Sequence, residues 1–312
     1  MIISASRRTD IPAFYSPWLL NRLRAGSVLV RNPFRPDQVS EVVLDPQQVD
    51  GIVFWTKNPA PMLPQLAEID RLGYRSYFQF TLTSYGRDLE PNLPAKASLI
   101  ATFRQLGQRL GPERVLWRFD PIVLTPTCTP ADHLRWFESL AAQLHGSTRS
   151  CTISFLSLYA KCKRNLQGRE LLLLEPSEKM RFVAQLAALA KRYGIKLLAC
   201  CEPLLGEQCG IAPARCIDDQ LVAAILGQSL RVKKAVGQRP GCGCVASIDI
   251  GAYDTCPHGC RYCYANSNHR VAAGNHGAHD PNAPLLIGAL TGSETVTRKA
   301  MLSCRSPQVR LF

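Results

Sequence analysis

The chain has 312 residues, 46% of them hydrophobic, and its 37 Lys and Arg against 24 Asp and Glu give a formal net charge of +13. This length and apolar content are sufficient for one large buried core. The sequence contains no apolar stretch of about eighteen residues, which is the length that a membrane helix requires. The opening segment is strand-like and too short for an export signal. The 13 cysteines are therefore expected in a reducing cytoplasm, where metal binding is more frequent than disulfide formation.

Short runs of apolar, β-branched and aromatic residues predict strands at 2–5, 28–31, 52–56, 76–82, 115–119, 152–156, 195–200 and 245–250. Helix-like stretches lie between them, at 17–25, 61–72, 95–110, 131–144, 177–193 and 218–230. Several begin at helix-entry residues such as Thr129 and Pro130, and several end near a glycine such as Gly194. This alternation predicts an α/β fold around a parallel sheet, and this number of strands predicts a TIM-like (β/α) barrel.

The predicted barrel accounts for residues 1–266 as a single domain, and residues 267–312 form a C-terminal extension. The stretch 272–284 is rich in Gly, Ala, Asn, His and Pro, which predicts a flexible connection. We expect residues 285–312 to pack on the barrel or to cover its mouth. The three histidines of this region are interpreted as loop residues, with a metal role left open: His269, His276 and His279.

Three cysteines in the C-x3-C-x2-C spacing stand in one short loop after the last predicted strand. They are Cys256, Cys260 and Cys263. Three thiolates so close in sequence can turn toward one centre, and an iron–sulfur cluster held by only three cysteines keeps one iron open for a ligand. A zinc site that uses His258 is the alternative, although zinc sites usually pair two cysteine hooks that a longer loop separates.

The aromatic Tyr262, directly before the third cysteine, strengthens a similarity to a known class of enzymes. This spacing resembles the radical S-adenosylmethionine (radical SAM) superfamily. The resemblance implies a 4Fe-4S cluster whose open iron binds the amino and carboxylate groups of SAM, and an electron that cleaves SAM to a 5'-deoxyadenosyl radical. It also implies a position for the Tyr262 backbone near the adenine, and an electron donor such as a flavodoxin or a ferredoxin.

The position of the triplet carries information about the architecture. Radical SAM enzymes usually have it after their first barrel strand, whereas here it follows the strand predicted at 245–250. The first and last strands of a closed barrel are neighbours, so that strand can take the place of the usual first strand. The sequence therefore predicts a circularly permuted radical SAM barrel with the cysteines at the carboxyl ends of its strands, where barrel chemistry occurs.

Four segments resemble one uncharacterised bacterial family, domain of unknown function 1848. They are 4–12, 55–59, 243–256 and 263–266. The family is described by a C-terminal cysteine cluster similar to that of radical SAM proteins, and it has no assigned reaction. The resemblance thus implies the cofactor and leaves the substrate open.

Six further cysteines precede the triplet: Cys200, Cys201, Cys209, Cys216, Cys242 and Cys244. Because they lie at or near the ends of strands that neighbour one another in a barrel, they are expected to converge on a second metal. The preferred ligands, for an auxiliary iron–sulfur cluster or a structural zinc, are Cys200, Cys216, Cys242 and Cys244. The alternative is that several of them are buried core thiols. Four others are interpreted as isolated core or surface residues: Cys128, Cys151, Cys162 and Cys304.

Polar residues that follow the predicted strands are expected at the mouth of the barrel. From them we select one pocket set for SAM, without individual roles: Arg7, Arg8, Asp10, Lys57 and Asp120. Carboxylates and arginines of this kind can bind the ammonium, carboxylate and hydroxyl groups of SAM. An ordinary ion pair or helix cap is an equally good interpretation of any single one.

The positive charge indicates an anionic partner, which is either nucleic acid or a phosphorylated or carboxylated small substrate. The basic residues are scattered and form no recognisable nucleic-acid module, so a solvated basic surface is the alternative. Two functions remain: a radical SAM enzyme with an unknown substrate, and a metal-stabilised binding protein for nucleic acid or another anionic ligand, without radical chemistry.

Overall fold

The computed structural model describes residues 1–202, 205, 208–299 and 302–306. The strands are β1 (Ile2–Ala5), β2 (Ser27–Arg31), β3 (Gln38–Val43), β4 (Gly51–Thr56), β5 (Ser76–Thr81), β6 (Val115–Ile122), β7 (Ser150–Phe155), β8 (Lys196–Ala199), β9 (Ala212–Pro213), β10 (Ile248–Asp249) and β11 (Thr295–Lys299). The α-helices are α1 (Ile11–Phe14), α2 (Ser16–Ala25), α3 (Leu66–Arg71), α4 (Lys96–Leu110), α5 (Pro130–Leu144), α6 (Ala160–Asn165), α7 (Pro176–Arg192), α8 (Asp219–Leu226) and α9 (His269–Gly277). A 3₁₀ helix, Ala60–Gln65, precedes α3.

Eight strands form one sheet in the order β10-β1-β4-β5-β6-β7-β8-β9, and every pair in it is parallel. Helices follow β5, β6 and β7 and connect each of them to the next strand. The central strands are buried on both faces, as parallel strands between helices usually are. The predicted mixed α/β fold with a parallel sheet is therefore confirmed.

Helix α5 shows how the sequence sets the ends of these elements. Thr129 caps its amino end and exchanges hydrogen bonds with Asp132 in a capping box, and Pro130 takes the first helical position. The helix ends before Gly146, whose φ of +77° is a left-handed conformation that glycine adopts without strain. Its buried face includes Phe137, whose ring stacks on Trp117 of β6 with centroids 4.8 Å apart.

The strand that leads into the cysteine triplet lies beside β1, as the permutation hypothesis requires. Residues Ile3 and Ser4 pair in parallel with Ile248 and Asp249, and the other side of β1 pairs with β4. Strand β10 is shorter than the predicted 245–250. The cysteines consequently follow a strand at one edge of the main sheet, on the carboxyl side.

The strand predicted at 28–31 does form, but its assignment to the main sheet is wrong. As β2 it pairs antiparallel with β3, and β3 pairs in parallel with β11, so the three make a separate sheet. Only six residues join β2 to β3, which is enough for an antiparallel turn but too short for the crossover that a parallel pair needs. The eighth position in the main sheet belongs to β9, which has two residues.

The stretch predicted as a flexible connection at 272–284 is partly helical, because α9 spans His269–Gly277. Asn268 caps this helix by accepting a hydrogen bond from the backbone N–H of Arg270. His269 and His276 therefore lie on a helix, whereas His279 follows it. Further on, residues 302–306 contact Asp50 at the amino end of β4. In the described part of the chain, no helix combines the length and apolar character of a membrane span.

Candidate functional site

The cysteine loop, residues 254–266, starts at the carboxyl end of β10 and is closed by hydrogen bonds between its two ends. Asp254, with φ of +55°, accepts hydrogen bonds through Oδ1 from the backbone N–H and the hydroxyl of Ser267. Asn266 donates from Nδ2 to the carbonyl oxygen of Cys256 at 2.6 Å. These contacts fold the loop back on itself and keep its three cysteines on one compact turn.

Two glycines permit close approaches at this loop. A Cβ on Gly251 would lie 2.1 Å from Oγ of Ser6, so only glycine allows the chain to pass β1 here. Gly259 has φ of +71°, and a Cβ there would lie 3.0 Å from Nδ2 of Asn92. Gly259 thus supplies both the turn between the first two cysteines and the space for the segment that follows β5.

The three thiols of the loop are shielded from solvent. Cys260 is buried, Cys256 and Cys263 are half-buried, and burial raises the pKa of each thiol. Asp10 and the other two thiols further raise the pKa of Cys256, which shows that the three sulfurs share one electrostatic environment. The backbone N–H of Ala265 donates to Sγ of Cys263 at 3.3 Å. The loop therefore combines three neighbouring thiols with a donor directed at one sulfur.

A buried ion network lies beneath the loop. Lys57, directly after β4, donates from Nζ to Oε1 of Glu90 at 2.8 Å, and Lys96 donates to the other oxygen of the same carboxylate. Thr83 and Tyr262 also donate to Glu90 through their hydroxyls. Burial alone would raise the pKa of Glu90, but the two ammonium groups outweigh it and hold this pKa at about 2.

The charge of Lys57 links this network to the cysteines. Burial disfavours the Lys57 ammonium, but Glu90 and the Cys260 thiol outweigh this effect and raise the pKa of Lys57. Burial raises the pKa of Cys260 to about 12, and the positive charge of Lys57 acts on this pKa in the opposite direction. An ammonium group fixed under the loop consequently favours negative charge on its sulfurs.

The residues from 85 to 92 hold the loop against the sheet. The backbone N–H of Arg261 donates to the carbonyl of Leu89 at 2.9 Å, and Nδ2 of Asn92 donates to the carbonyl of Pro257 at 2.8 Å. On the other side, Nε2 of His258 contacts Oδ2 of Asp10 at 2.9 Å. His258 is buried in this contact with Asp10.

The structure distributes the predicted pocket set over three places. Asp10 and Lys57 lie at the cysteine loop and are joined by a hydrogen bond from the backbone N–H of Lys57 to Oδ2 of Asp10 at 2.7 Å. Asp120 forms an ion pair with Arg118. The charge of Asp120 also raises the pKa of Lys57. Arg7 and Arg8 have their Nε atoms 4.0 and 3.9 Å from the carboxylate of Asp249.

The second group of sulfurs comes together as a thiol cluster: Cys200, Cys201, Cys216, Cys242 and Cys244. Sγ of Cys200 lies 3.7 Å from Sγ of Cys216 and 3.8 Å from Sγ of Cys201. Cys242 and Cys244 lie in the same buried apolar cluster as Cys200 and Cys216, and Cys201 packs against it. The four cysteines predicted as ligands are therefore neighbours, and Cys201 joins them. Cys209 lies apart and donates to the carbonyl of Met180.

Donors from outside the cluster point at its sulfurs. Arg118 donates from Nη1 to Sγ of Cys216 at 2.9 Å, and the backbone N–H of Ile217 donates to Sγ of Cys244 at 3.4 Å. Burial lowers the pKa of the nearby Arg239 guanidinium, but the charges of Cys201 and Cys200 reverse this effect and raise it. Contact with Cys216 and burial raise the pKa of Cys200, and burial raises that of Cys201. The pKa of Cys216 is raised to about 11, whereas contact with Cys216 lowers the pKa of Cys244.

As the side chains stand, no group of three or more His, Cys, Asp or Glu among the described residues is arranged to hold a metal ion. The sulfurs of the thiol cluster contact one another in pairs without surrounding a common point.

Sequence reasoning missed Glu90 and the position of Cys162, and it placed Arg118 at the end of its strand without including it in the pocket set. Glu90 and Arg118 have no local motif, because their partners come from distant parts of the chain. Cys162 was interpreted as isolated; it is buried but lies against the cysteine loop, where its thiol donates to the carbonyl of Tyr262 at 3.2 Å. No spacing signal connects it with the triplet.

Fold and site together define an α/β protein with a parallel sheet and a cysteine-rich loop at the carboxyl end of an edge strand. The chain belongs to the family described as "Domain of unknown function (DUF1848)", whose model matches residues 2–265. No curated protein matches the chain.

Proposed function

We propose that the protein is a radical SAM-type iron–sulfur enzyme in which Cys256, Cys260 and Cys263 hold a 4Fe-4S cluster. The observation that carries the proposal is the position of three buried or half-buried thiols on one closed loop at the carboxyl end of β10, the strand that pairs with β1. Three cysteine ligands leave one iron open for SAM. When bound, the cluster and SAM supply an electron transfer that generates a carbon radical able to abstract a hydrogen atom from a substrate.

The residues around the loop suit a negatively charged iron–sulfur group. Lys57 places an ammonium group near Cys260, and the backbone N–H of Ala265 is directed at Cys263, so both favour thiolate ligands. Glu90 keeps Lys57 charged and in position. Asp10 and the 85–92 segment fix the loop itself. Arg7 and Arg8 are half-buried at the same edge of the sheet and are candidates to bind an anionic part of a ligand.

The same proposal includes the architecture of the superfamily. The parallel pairing of β10 with β1 supports a circularly permuted barrel, in which β10 replaces the usual first strand. Chemistry would then take place at the carboxyl ends of the strands. Reduction would come from a protein electron donor such as a flavodoxin or a ferredoxin.

The test is anaerobic purification followed by measurement of iron, sulfide and reductive SAM cleavage. We expect about four irons per chain at the loop, and 5'-deoxyadenosine that disappears in Cys256→Ala, Cys260→Ala and Cys263→Ala. Cys151→Ala is the matched control, because Cys151 is a buried thiol of β7 that lies in the main core and belongs to neither group. A folded Cys256→Ala variant that still produces 5'-deoxyadenosine would refute the assignment.

The second candidate, an anion-binding protein without radical chemistry, is favoured by one surface feature. A depression of about 550 Å³ beside the cysteine loop is lined by Arg164 and Arg270, and none of the three loop cysteines reaches it. Its basic lining is suited to a phosphate or carboxylate. Salt-sensitive nucleic-acid binding that is lost in Arg164→Gln, by a protein that lacks iron and does not cleave SAM, would make this the leading function.

A further inference from the structure

The thiol cluster lies where the segment that follows β9 meets the segment that precedes β10. Cys200 follows β8 and Cys216 follows β9 at one end of the strand order, whereas Cys242 and Cys244 precede β10 at the other end. The segments touch through their backbones, because the N–H of Val245 donates to the carbonyl of Ile217 at 3.1 Å. A Cβ on Gly243 would lie only 2.8 Å from the carbonyl oxygen of Ala214. The sulfurs therefore come from chain segments that have already been brought into contact.

The spacing of the sulfurs fits a single ion better than a cluster of metals. Four thiolates around one zinc lie at the corners of a tetrahedron, and Zn–S bonds of about 2.3 Å put neighbouring sulfurs about 3.8 Å apart. The Sγ atoms of Cys200 and Cys216, two of the sulfurs at issue, are 3.7 Å apart. A 4Fe-4S cluster binds each cysteine to a different iron, which separates the sulfurs further.

Charge and hydrogen bonding provide a second, independent argument. A neutral thiol is a weak hydrogen-bond acceptor. Here, however, Sγ of Cys216 accepts a hydrogen bond from the Arg118 guanidinium at 2.9 Å, and Sγ of Cys244 accepts one from a backbone N–H. Zinc with four thiolates carries two net negative charges, and the Arg118 guanidinium, which donates to Cys216, balances part of this charge. Gln79 accepts a further hydrogen bond from Arg118 and so orients it.

We propose that Cys200, Cys216, Cys242 and Cys244 bind one zinc ion that crosslinks the segments after β8 and β9 to the segment before β10. These four thiols are buried, whereas Cys201 is half-buried and stands next to the site. As the side chains stand they are not arranged to hold a metal ion, so zinc binding requires the sulfurs to move closer around one point. The site is structural and separate from the cysteine loop.

The test uses the full chain with Cys256, Cys260 and Cys263 all replaced by alanine, which removes the proposed iron site. We expect about one zinc per chain by elemental analysis, with a sulfur-only shell at about 2.3 Å in X-ray absorption. Adding Cys216→Ser or Cys244→Ser should abolish zinc binding. Cys201→Ser and the distant Cys304→Ser should leave it unchanged. Loss of zinc in Cys201→Ser, iron with sulfide in place of zinc, or no metal at all would each overturn the proposal.

A second measurement covers the case in which the serine variants do not fold. Removal of zinc from the same triple-alanine protein by a strong chelator should lower its melting temperature, and added zinc should restore it. An unchanged melting temperature after complete removal of zinc would contradict the crosslinking role. Iron content and SAM cleavage of the unmodified chain are measured separately, so a failure of the radical SAM proposal leaves this result unaffected.

Discussion

Replacing Glu90 with glutamine keeps the shape of the side chain but removes the charge that pairs with two partly buried lysines. The pKa of Glu90 is lowered from 4.5 to about 2 in the folded protein. This difference corresponds to roughly 3 kcal/mol of stability at neutral pH. Little of it is lost to solvent screening, because the Glu90 side chain is 1% exposed.

The sign of the effect sets its pH dependence. The folded-state pKa of Glu90 is depressed, so its contribution is complete above the unfolded pKa of 4.5 and is lost as the pH falls toward 2. We expect Glu90→Gln to lower the free energy of unfolding by about 3 kcal/mol at pH 7 and by only about 1.5 kcal/mol at pH 3. Urea unfolding followed by tryptophan fluorescence measures both values, with metal content determined for each protein.

Glu113→Gln is the matched control for this experiment. Glu113 forms an ion pair with Arg149 at 3.3 Å, but the side chain of Glu113 is 62% exposed and that of Arg149 is 61% exposed. Its replacement should cost less than about 1 kcal/mol at every pH. A Glu90→Gln effect as small as that of the control, or one that does not diminish toward pH 3, would refute the reasoning about the buried network.

Two other perturbations address the loop and the C-terminal segment. Gly259→Ala places a Cβ at positive φ and against Asn92. Its control is Gly146→Ala, where φ is +77° but nothing lies within 4 Å of the added Cβ. Gly259→Ala should destabilise the protein by about 1 kcal/mol more than this control and should reduce iron loading. Equal unfolding midpoints for the two alanine variants would contradict this. Asp50→Asn weakens the contacts of Asp50 with Ser303, Cys304 and Arg305. Trypsin should then cleave after Arg305 about tenfold faster, which corresponds to a decrease of about 1.4 kcal/mol in the free energy of local opening. The exposed Asp37→Asn should cleave at the rate of the unchanged protein, and no difference between the two variants would count against the anchoring role of Asp50.

The sequence predicted most of the main sheet because its central strands are continuous apolar runs with β-branched and aromatic residues, as in β4 and β5. The same signal does not identify a strand's partner, which explains why β2 was assigned to the wrong sheet. Strand β9 has two residues and carries no pattern of its own. Helix α9 was missed because its Gly and Asn content resembles a loop, although Asn268 is a good cap.

The site was predictable only where its chemistry is concentrated in short motifs. The cysteine spacing identified the loop, and the cysteine content between 200 and 244 indicated which sulfurs come together. The contacts of Glu90 and Arg118 were not predictable, because the partners of Glu90 extend to Tyr262 and those of Arg118 to Cys216. Such contacts depend on the tertiary fold and leave no periodic trace in the sequence.

The pairing of β1 with β10 has a consequence for the order of events during synthesis. The two strands are 245 residues apart, so one edge of β1 has no partner until nearly the whole chain has left the ribosome. At about 5 to 20 residues per second this interval lasts from about 12 to about 50 seconds. The cysteine loop emerges only after it. A chain terminated before residue 248 therefore lacks all three loop cysteines and leaves a strand edge open, which makes incomplete products candidates for aggregation.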